Sequence, residues 1–436
     1  MAIASLLSIY AFLDLGYDVL GLKVNLGHFE DASIHQIFRI LEGKKLFTEA
    51  NAEYTPLLYG PVYFYISAPF GLLFQKTFLS GRIVSYIATF LSVIFAALIF
   101  RKSVDAGKWL FLFCFTVFIG LFFSANHLID YWLYKAKVDA LFLLLSVVTT
   151  YYYFRSAEKL SYLFVSAFFG SLLFFTKQNG VLIPAFCILF YLIANKKRSA
   201  LIFVIVFFIF SGIFFAFFIL HSGEKFLLYT FVIPKSHPFL WKEYSPELLK
   251  FFLPFGILLL LFFYLNFAAQ FYRRGKIDFW KILRRKLKTK KNFYPLFLLF
   301  SFFSISLVGR MKVGAVGNSW IWFIYALSLF SAIFLFRLLK IIRNRPSPKL
   351  RMAFGAFNIL LILQFLTFRY DYFAKKEEIQ KLKDRQILTK QILCGLEKPV
   401  LFPLAGYMPV ILCNDDTTGF QQQSVLDIIR YKAEFD

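Results

Sequence analysis

Apolar stretches close to the length of a bilayer crossing recur along the whole chain, and they limit its folding more than any single motif. A spanning helix needs about 20 mostly apolar residues. Residues 81–101, 109–125, 138–154, 161–175, 181–194, 199–220, 249–272, 293–308, 319–339 and 352–368 meet or approach that requirement. Composition points the same way: 59% of the 436 residues are hydrophobic, 17% are charged, and 62 are Phe. A compact body in water cannot hide so much apolar surface, whereas bilayer hydrocarbon removes the constraint. The implied fold class is an all-α polytopic membrane protein.

The formal net charge of +24 would suggest nucleic acid on a soluble protein. Here the basic residues gather in short runs between apolar stretches, as cytoplasmic flanks do. Residues 273–291 hold ten basic residues against one acid, Asp278. If 101–108, 155–159, 196–198, 273–291 and 340–351 are all cytoplasmic, helix parity requires that 59–74, which contains Pro61 and Pro69, does not cross. The expectation is about eleven spans, N-terminus inside and C-terminus outside. The opening stretch 1–13 is apolar but followed by Asp14 and Asp18, so it reads as a short first span with acids at its outer end, or as one whose start is missing.

The outer face then carries a long first loop, 23–80, with 59–74 lying along the membrane surface. Residues 126–137, 177–180, 221–247 and 309–318 form further outer connections, and 370–436 a small polar tail after a membrane domain of 1–369. Within the tail, 375–390 reads as a charged helix and 399–405 and 409–413 as strand-like runs. Cys394 and Cys413 could pair if the tail is outside the cytoplasm, whereas Cys114 and Cys187 read as packed thiols.

Residues able to do chemistry collect on this face. Glu30 and Asp31 are adjacent acids beyond the first span; one carboxylate could serve as base and the other hold a divalent ion or the acceptor. An ordinary solvated loop is the plainer alternative. Lys137 and Asp139 stand at the start of an apolar helix, where an acid faces a bundle cavity or simply complements the helix dipole. Asp130 competes in the same loop. Asn179-Gly180 explains a tight turn, but Lys177 and Gln178 beside it are free to bind phosphate or sugar. Arg310, Lys312 and Asn318 occupy a similar connection, and Lys235 and His237 lie in the middle loop; any of these cations could instead be snorkelling at the interface. Tyr59 and Tyr63, set among prolines, form a rim or an interfacial anchor. The chain lacks a phosphate-binding Gly-rich loop, a zincin His-Glu-x-x-His and a Gly-x-Ser-x-Gly elbow, and its five His residues form no cluster.

The pattern resembles membrane glycosyltransferases that take sugar from a polyprenyl-phosphate carrier. It is similar to bacterial relatives of protein mannosyltransferases and lipid A aminoarabinose transferases, the RgtA-like (GT39/GT83-like) group with the GT-C fold. The resemblance rests on Glu30-Asp31 ahead of Arg39-Ile-Leu-Glu-Gly43, then Tyr59-Gly-Pro-Val-Tyr63, Lys137-Val-Asp-Ala-Leu141, Thr176-Lys-Gln-Asn-Gly180 and Gly314-Ala-Val-Gly-Asn318. A weaker match in the tail is Leu404-Ala-Gly406. It implies a GT-C bundle whose first outer loop contains juxtamembrane helices. It also implies Asp31 as catalytic base with Glu30 close behind, and Asp139 organising metal or substrate. A divalent metal such as Mg or Mn would be held by Glu30 and Asp139, with no nucleotide cofactor. Lys177, Gln178, Lys312, Arg310, Tyr59, Tyr63, Lys137 and His237 would bind substrate or phosphate. The implied reaction is inverting transfer to a lipid, glycan or protein acceptor at the outer face of a bacterial inner membrane. The competing readings are a transporter or lipid flippase without covalent chemistry, another glycan-assembly polymerase or ligase, and a structural scaffold.

Overall fold

The computed structural model describes residues 1–27, 29–51, 54–74, 77–105, 107–240, 290–312, 316–344, 348–396 and 408–413. The expected span at 249–272 and most of the basic run 273–291 lie outside the described residues, as do Gly314, Leu404-Ala-Gly406 and the strand-like run 399–405.

Among the described residues the protein is helical. The helices are α1 (Ala2–Gly21), α2 (Glu30–Leu41), α3 (Val62–Phe74), α4 (Leu79–Ser103), α5 (Lys108–Ser124), α6 (Val138–Arg155), α7 (Ser161–Phe174), α8 (Leu182–Ile193) and α9 (Lys197–Ser222). After short turns at Glu224–Leu227 and Ile233–Ser236 come α10 (Lys290–Arg310), α11 (Ile321–Asn344) and α12 (Pro348–Gly395), with a last turn at Met408–Cys413. Each expected apolar stretch inside the described residues is helical, because only a helix satisfies all its own backbone groups in hydrocarbon.

Among the described residues, five stretches are long and apolar enough to cross a membrane: Ala2–Gly21, Leu79–Ser103, Lys108–Ile129, Lys197–Ser222 and Gly317–Asn344. Others, such as Ser161–Phe174, are apolar but shorter, so length and composition do not by themselves reach the expected count of about eleven. Helix α3 has 13 residues and a length of about 20 Å. It packs against α2 and α4. Helix α11 is nearly all buried and forms the bundle's centre. Helix α9 is peripheral, with Leu201, Phe208 and Ile213 exposed where lipid would cover them.

Helix α1 runs through Asp14 and Asp18, which lie toward its C-terminal end, as the first of the two readings expected. Both acids are neutralised by α12, where Lys376 Nζ lies 2.5 Å from each of them and Lys383 Nζ 2.7 Å from Asp18. The run 409–413 is helical, not strand-like. The charged stretch 375–390 is a helix, as expected, but one continuous with the last span; α12 has 48 residues and extends about 72 Å, far beyond a bilayer's hydrocarbon. Cys394 and Cys413 are joined by a disulfide, with Cα atoms 5.4 Å apart, while Cys114 and Cys187 are buried free thiols.

The alternation of helices puts the C-terminal ends of α1, α5, α7 and α10 at the same end of the bundle as the N-terminal ends of α4, α6, α8 and α11. All the candidate residues fall at that end. The opposite end gathers the short basic connections, where Glu158 between α6 and α7 pairs with Lys102 at the end of α4.

Candidate functional site

Helix α2 begins with both acids in its first turn, where the exposed backbone amides and the helix dipole favour negative charge. Neither is solvated: Glu30 and Asp31 are fully buried, as is Asp139 in the first turn of α6. Charges this deep must be paired and hydrogen-bonded to persist.

Glu30 is paired with Arg82 of α4. The guanidinium donates from Nε to Oε1 and from Nη2 to Oε2, both at 2.8 Å. The backbone amide of Ala136 donates to Oε1 at 2.7 Å and that of Leu26 to Oε2 at 2.9 Å. Each carboxylate oxygen therefore has both lone pairs in use. Arg82 uses its remaining donors on the carbonyls of Val19, Leu22 and Val24, at 2.6–2.8 Å. Burial pushes the Glu30 carboxyl upward, but Arg82 and the two amides outweigh it and hold the group below the usual range. The assembly fastens α1, α2, α4 and the 125–137 segment to one another.

Asp31 sits one residue on and accepts from Asn25 Nδ2 at 3.1 Å. It shares the charge field of Lys137, a buried side chain whose ammonium is stabilised by Glu30, Asp31 and Asp139 together. Burial still dominates and pushes the Lys137 ammonium down to about 7. Its Nζ stands 5.1 Å from the ring centre of Phe29 and 5.8 Å from that of Trp132.

Asp139 accepts from Lys177 Nζ at 2.9 Å and Asn318 Nδ2 at 3.1 Å on one oxygen, and from Trp132 Nε1 at 2.6 Å on the other. Lys177 is raised above its ordinary range because Asp139 overcomes the cost of burial. Its ammonium also faces the rings of Tyr59, at 5.7 Å, and Trp322, at 5.5 Å. Gly60 makes this meeting possible. A Cβ there would lie 1.9 Å from the carbonyl oxygen of Phe175, so only glycine lets the Tyr59 loop press on the Lys177 turn. Gln178 ties the same turn to the carbonyls of Leu58 and Thr230. Tyr63 donates to the carbonyl of Gly81 at 3.1 Å, beside the helix turn that carries Arg82.

The structure thus brings together Glu30, Asp31, Lys137, Asp139 and Lys177, with Tyr59, Tyr63 and Gln178 at the margin. Gly309 lies against Asn179 and Ser319, which places Arg310 at the edge of this group. Lys312 is engaged elsewhere, donating to the carbonyl of Pro234 at 2.8 Å and bridging to Phe239, with His237 on the same segment. Asp130 pairs with Lys135 at 2.6 Å. Arg82, Trp132 and Asn25 were not singled out from the sequence; a lone Arg in an apolar span was the one available signal.

Glu30 and Asp139, the expected metal ligands, do not fit a divalent ion as they are placed. Each already has a protein cation, and the Glu30 oxygens have no lone pair left. Among the described residues no group of three or more His, Cys, Asp or Glu side chains is arranged to hold a metal.

Comparison with known proteins bears on the fold. Residues 56–222 match the family model for dolichyl-phosphate-mannose-protein mannosyltransferase. No curated protein matches the sequence. The structure of ArnT from Cupriavidus metallidurans bound to undecaprenyl phosphate aligns over 98% of this chain and 87% of its own, at 10% identity and a TM-score of 0.61. The oligosaccharyltransferase AglB from Archaeoglobus fulgidus, in complex with an inhibitory peptide and a dolichol-phosphate, aligns over 95% of this chain and 65% of its own, at 11% identity and a TM-score of 0.51. A further structure of the Archaeoglobus fulgidus oligosaccharyltransferase, in complex with Zn and sulfate, covers 94% of this chain and 62% of its own, at 14% identity and a TM-score of 0.50. The fold is a GT-C-like polytopic bundle.

Proposed function

We propose that the protein is a glycosyltransferase that moves a sugar from a polyprenyl-phosphate carrier to a lipid, glycan or protein acceptor at the outer face of the membrane, with inversion at the anomeric carbon. The observation that carries this reading is the buried group of three carboxylates at one end of the bundle, in which Asp31 stands beside a saturated Glu30–Arg82 pair. The fold likeness to proteins solved with undecaprenyl phosphate and dolichol-phosphate supports the choice of donor class, and the match over residues 56–222 supports a relation to the protein mannosyltransferases. The disulfide in the tail supports a non-cytoplasmic site end, since such bonds persist in oxidising compartments.

The roles divide by what each side chain already holds. Asp31 takes the proton from the acceptor hydroxyl as its oxygen attacks the anomeric carbon from the face opposite the phosphate. The bond from that carbon to the phosphate oxygen breaks, and the polyprenyl phosphate leaves with the electron pair. Lys177 faces the growing charge on the leaving oxygen; Trp132 and Asn318 keep Asp139 in place if the ammonium turns toward phosphate. Glu30 is reassigned from base or metal ligand to positioning, because Arg82 and two amides occupy it. Tyr59, Tyr63 and Gln178 shape the pocket wall.

The test is transfer by purified protein from a panel of polyprenyl-phosphate sugars. Asp31→Asn should lower transfer by about 10²–10⁴-fold while membrane insertion and thermal unfolding stay as in the parent protein. Full transfer by the variant would remove Asp31 from the base role. Net movement of intact carrier across vesicles, without cleavage, would favour a flippase instead.

A further inference from the structure

The C-terminal helix reaches the site through a strained turn. Asp130 and Tyr131 are successive non-glycine residues in the left-handed region, with φ of 50° and 53°. A bulky aromatic residue rarely adopts that conformation, and it persists only where surrounding contacts enforce it. Those contacts come from two directions. Lys135 pairs with Asp130, and the Tyr131 amide donates to the carbonyl of Asn126 at 2.9 Å. From α12, Asp371 accepts the Tyr131 hydroxyl at 2.5 Å, and Lys375 Nζ stands 5.4 Å from the Tyr131 ring.

Immediately after this turn the chain enters the site. Trp132 donates its indole N–H to Asp139, and the Ala136 amide donates to Glu30. A shift at Tyr131 would therefore move donors on two of the three carboxylates at once. Helix α12 is itself fixed, since Lys376 and Lys383 pair with Asp14 and Asp18, and Gln386 accepts the Lys23 amide at 2.9 Å.

We propose that Asp371 is a positioning residue for the transfer site: by accepting the Tyr131 hydroxyl it holds the Asp130–Tyr131 turn in the conformation that sets Trp132 on Asp139 and the Ala136 amide on Glu30. The tail is then part of the site's scaffold rather than an appendage. The kinetic arm of this inference rests on the sugar-transfer reading; the exchange arm does not.

Four variants of the full chain test it: Asp371→Ala, Tyr131→Phe, their double, and Asp371→Asn, whose amide oxygen can still accept from Tyr131. Each of the first two should lower kcat about tenfold with KM for the donor within about twofold, a loss corresponding to one hydrogen bond. The double should be no worse than the lower single, since both remove the same contact, and Asp371→Asn should recover most of the activity. In parallel, Tyr131→Phe should raise amide hydrogen exchange over residues 130–136 about tenfold without substrate. Wild-type kcat in both single variants, losses that multiply in the double, failure of Asp371→Asn to recover, or unchanged exchange over 130–136 would each overturn the proposal. If the parent protein transfers no sugar at all, the enzymatic reading fails while the exchange result still decides the role of Asp371. Tyr131→Phe, which removes only a hydroxyl, serves if Asp371→Ala does not insert.

Discussion

The two ends of the bundle handle charge in opposite ways. At the basic end, Lys102 and Glu158 pair at 2.5 Å with side chains 43% and 40% exposed, so water competes for both. At the site end, Arg82 and Glu30 pair at 2.8 Å with no exposure, and every side-chain nitrogen and oxygen of that pair has a hydrogen-bond partner. Similar distances thus mean different things. The exposed pair is weakened by water and salt, whereas the buried pair determines which backbone segments can coexist. The proposed chemistry is placed at the second end, where charge held away from water would act strongly on a substrate.

Arg82→Ala should have the largest effect on this contrast. It strands Glu30 and three carbonyls, and the cost of breaking a buried pair is about 3–5 kcal/mol. The expected outcome is a strongly lowered unfolding temperature in detergent together with loss of transfer. An unchanged melting profile would show that the site end is no more demanding than the basic one.

A titration sharpens the comparison. Lys137 is depressed to about 7 in the folded protein, against an ordinary 10.5 when unfolded. Between those values the unfolded chain binds more protons, so this group makes stability rise with pH across that window, with a slope approaching about 1.4 kcal/mol per unit. Below about pH 7 its full penalty is present and constant. Lys137→Met should flatten the rise, as measured by unfolding temperature from pH 6 to 10; equal slopes in the two proteins would contradict the buried-charge account. The smallest effect belongs to the basic end. Lys102→Met should change stability by about 0.2–1 kcal/mol, decreasing further with salt, and should leave transfer intact.

Much of this contrast was legible in the residues themselves. Glu30, Asp31, Lys137, Asp139 and Lys177 all meet in one cluster, and each was visible as a polar residue at the edge of an apolar run. Residues 62–74 of the Pro-interrupted stretch form the short α3, and Cys394 and Cys413 are bonded. Less legible was how the acids divide their work. Adjacent carboxylates look equivalent in sequence; Arg82, 52 residues beyond Glu30, makes them different. Asp14 and Asp18 look like helix interruptions until Lys376, 362 residues after Asp14, neutralises them.

From the amino-acid order alone came the membrane class, the long apolar helices within the described residues, and the end of the bundle where polar groups collect, because hydropathy and backbone self-satisfaction are local properties that hydrocarbon enforces helix by helix. Partnership was decided by tertiary structure. Which carboxylate is saturated, which lysine reaches it, and how the last helix grips the second loop depend on separations of a few ångströms between distant segments. Coulombic and hydrogen-bond energies depend on those separations.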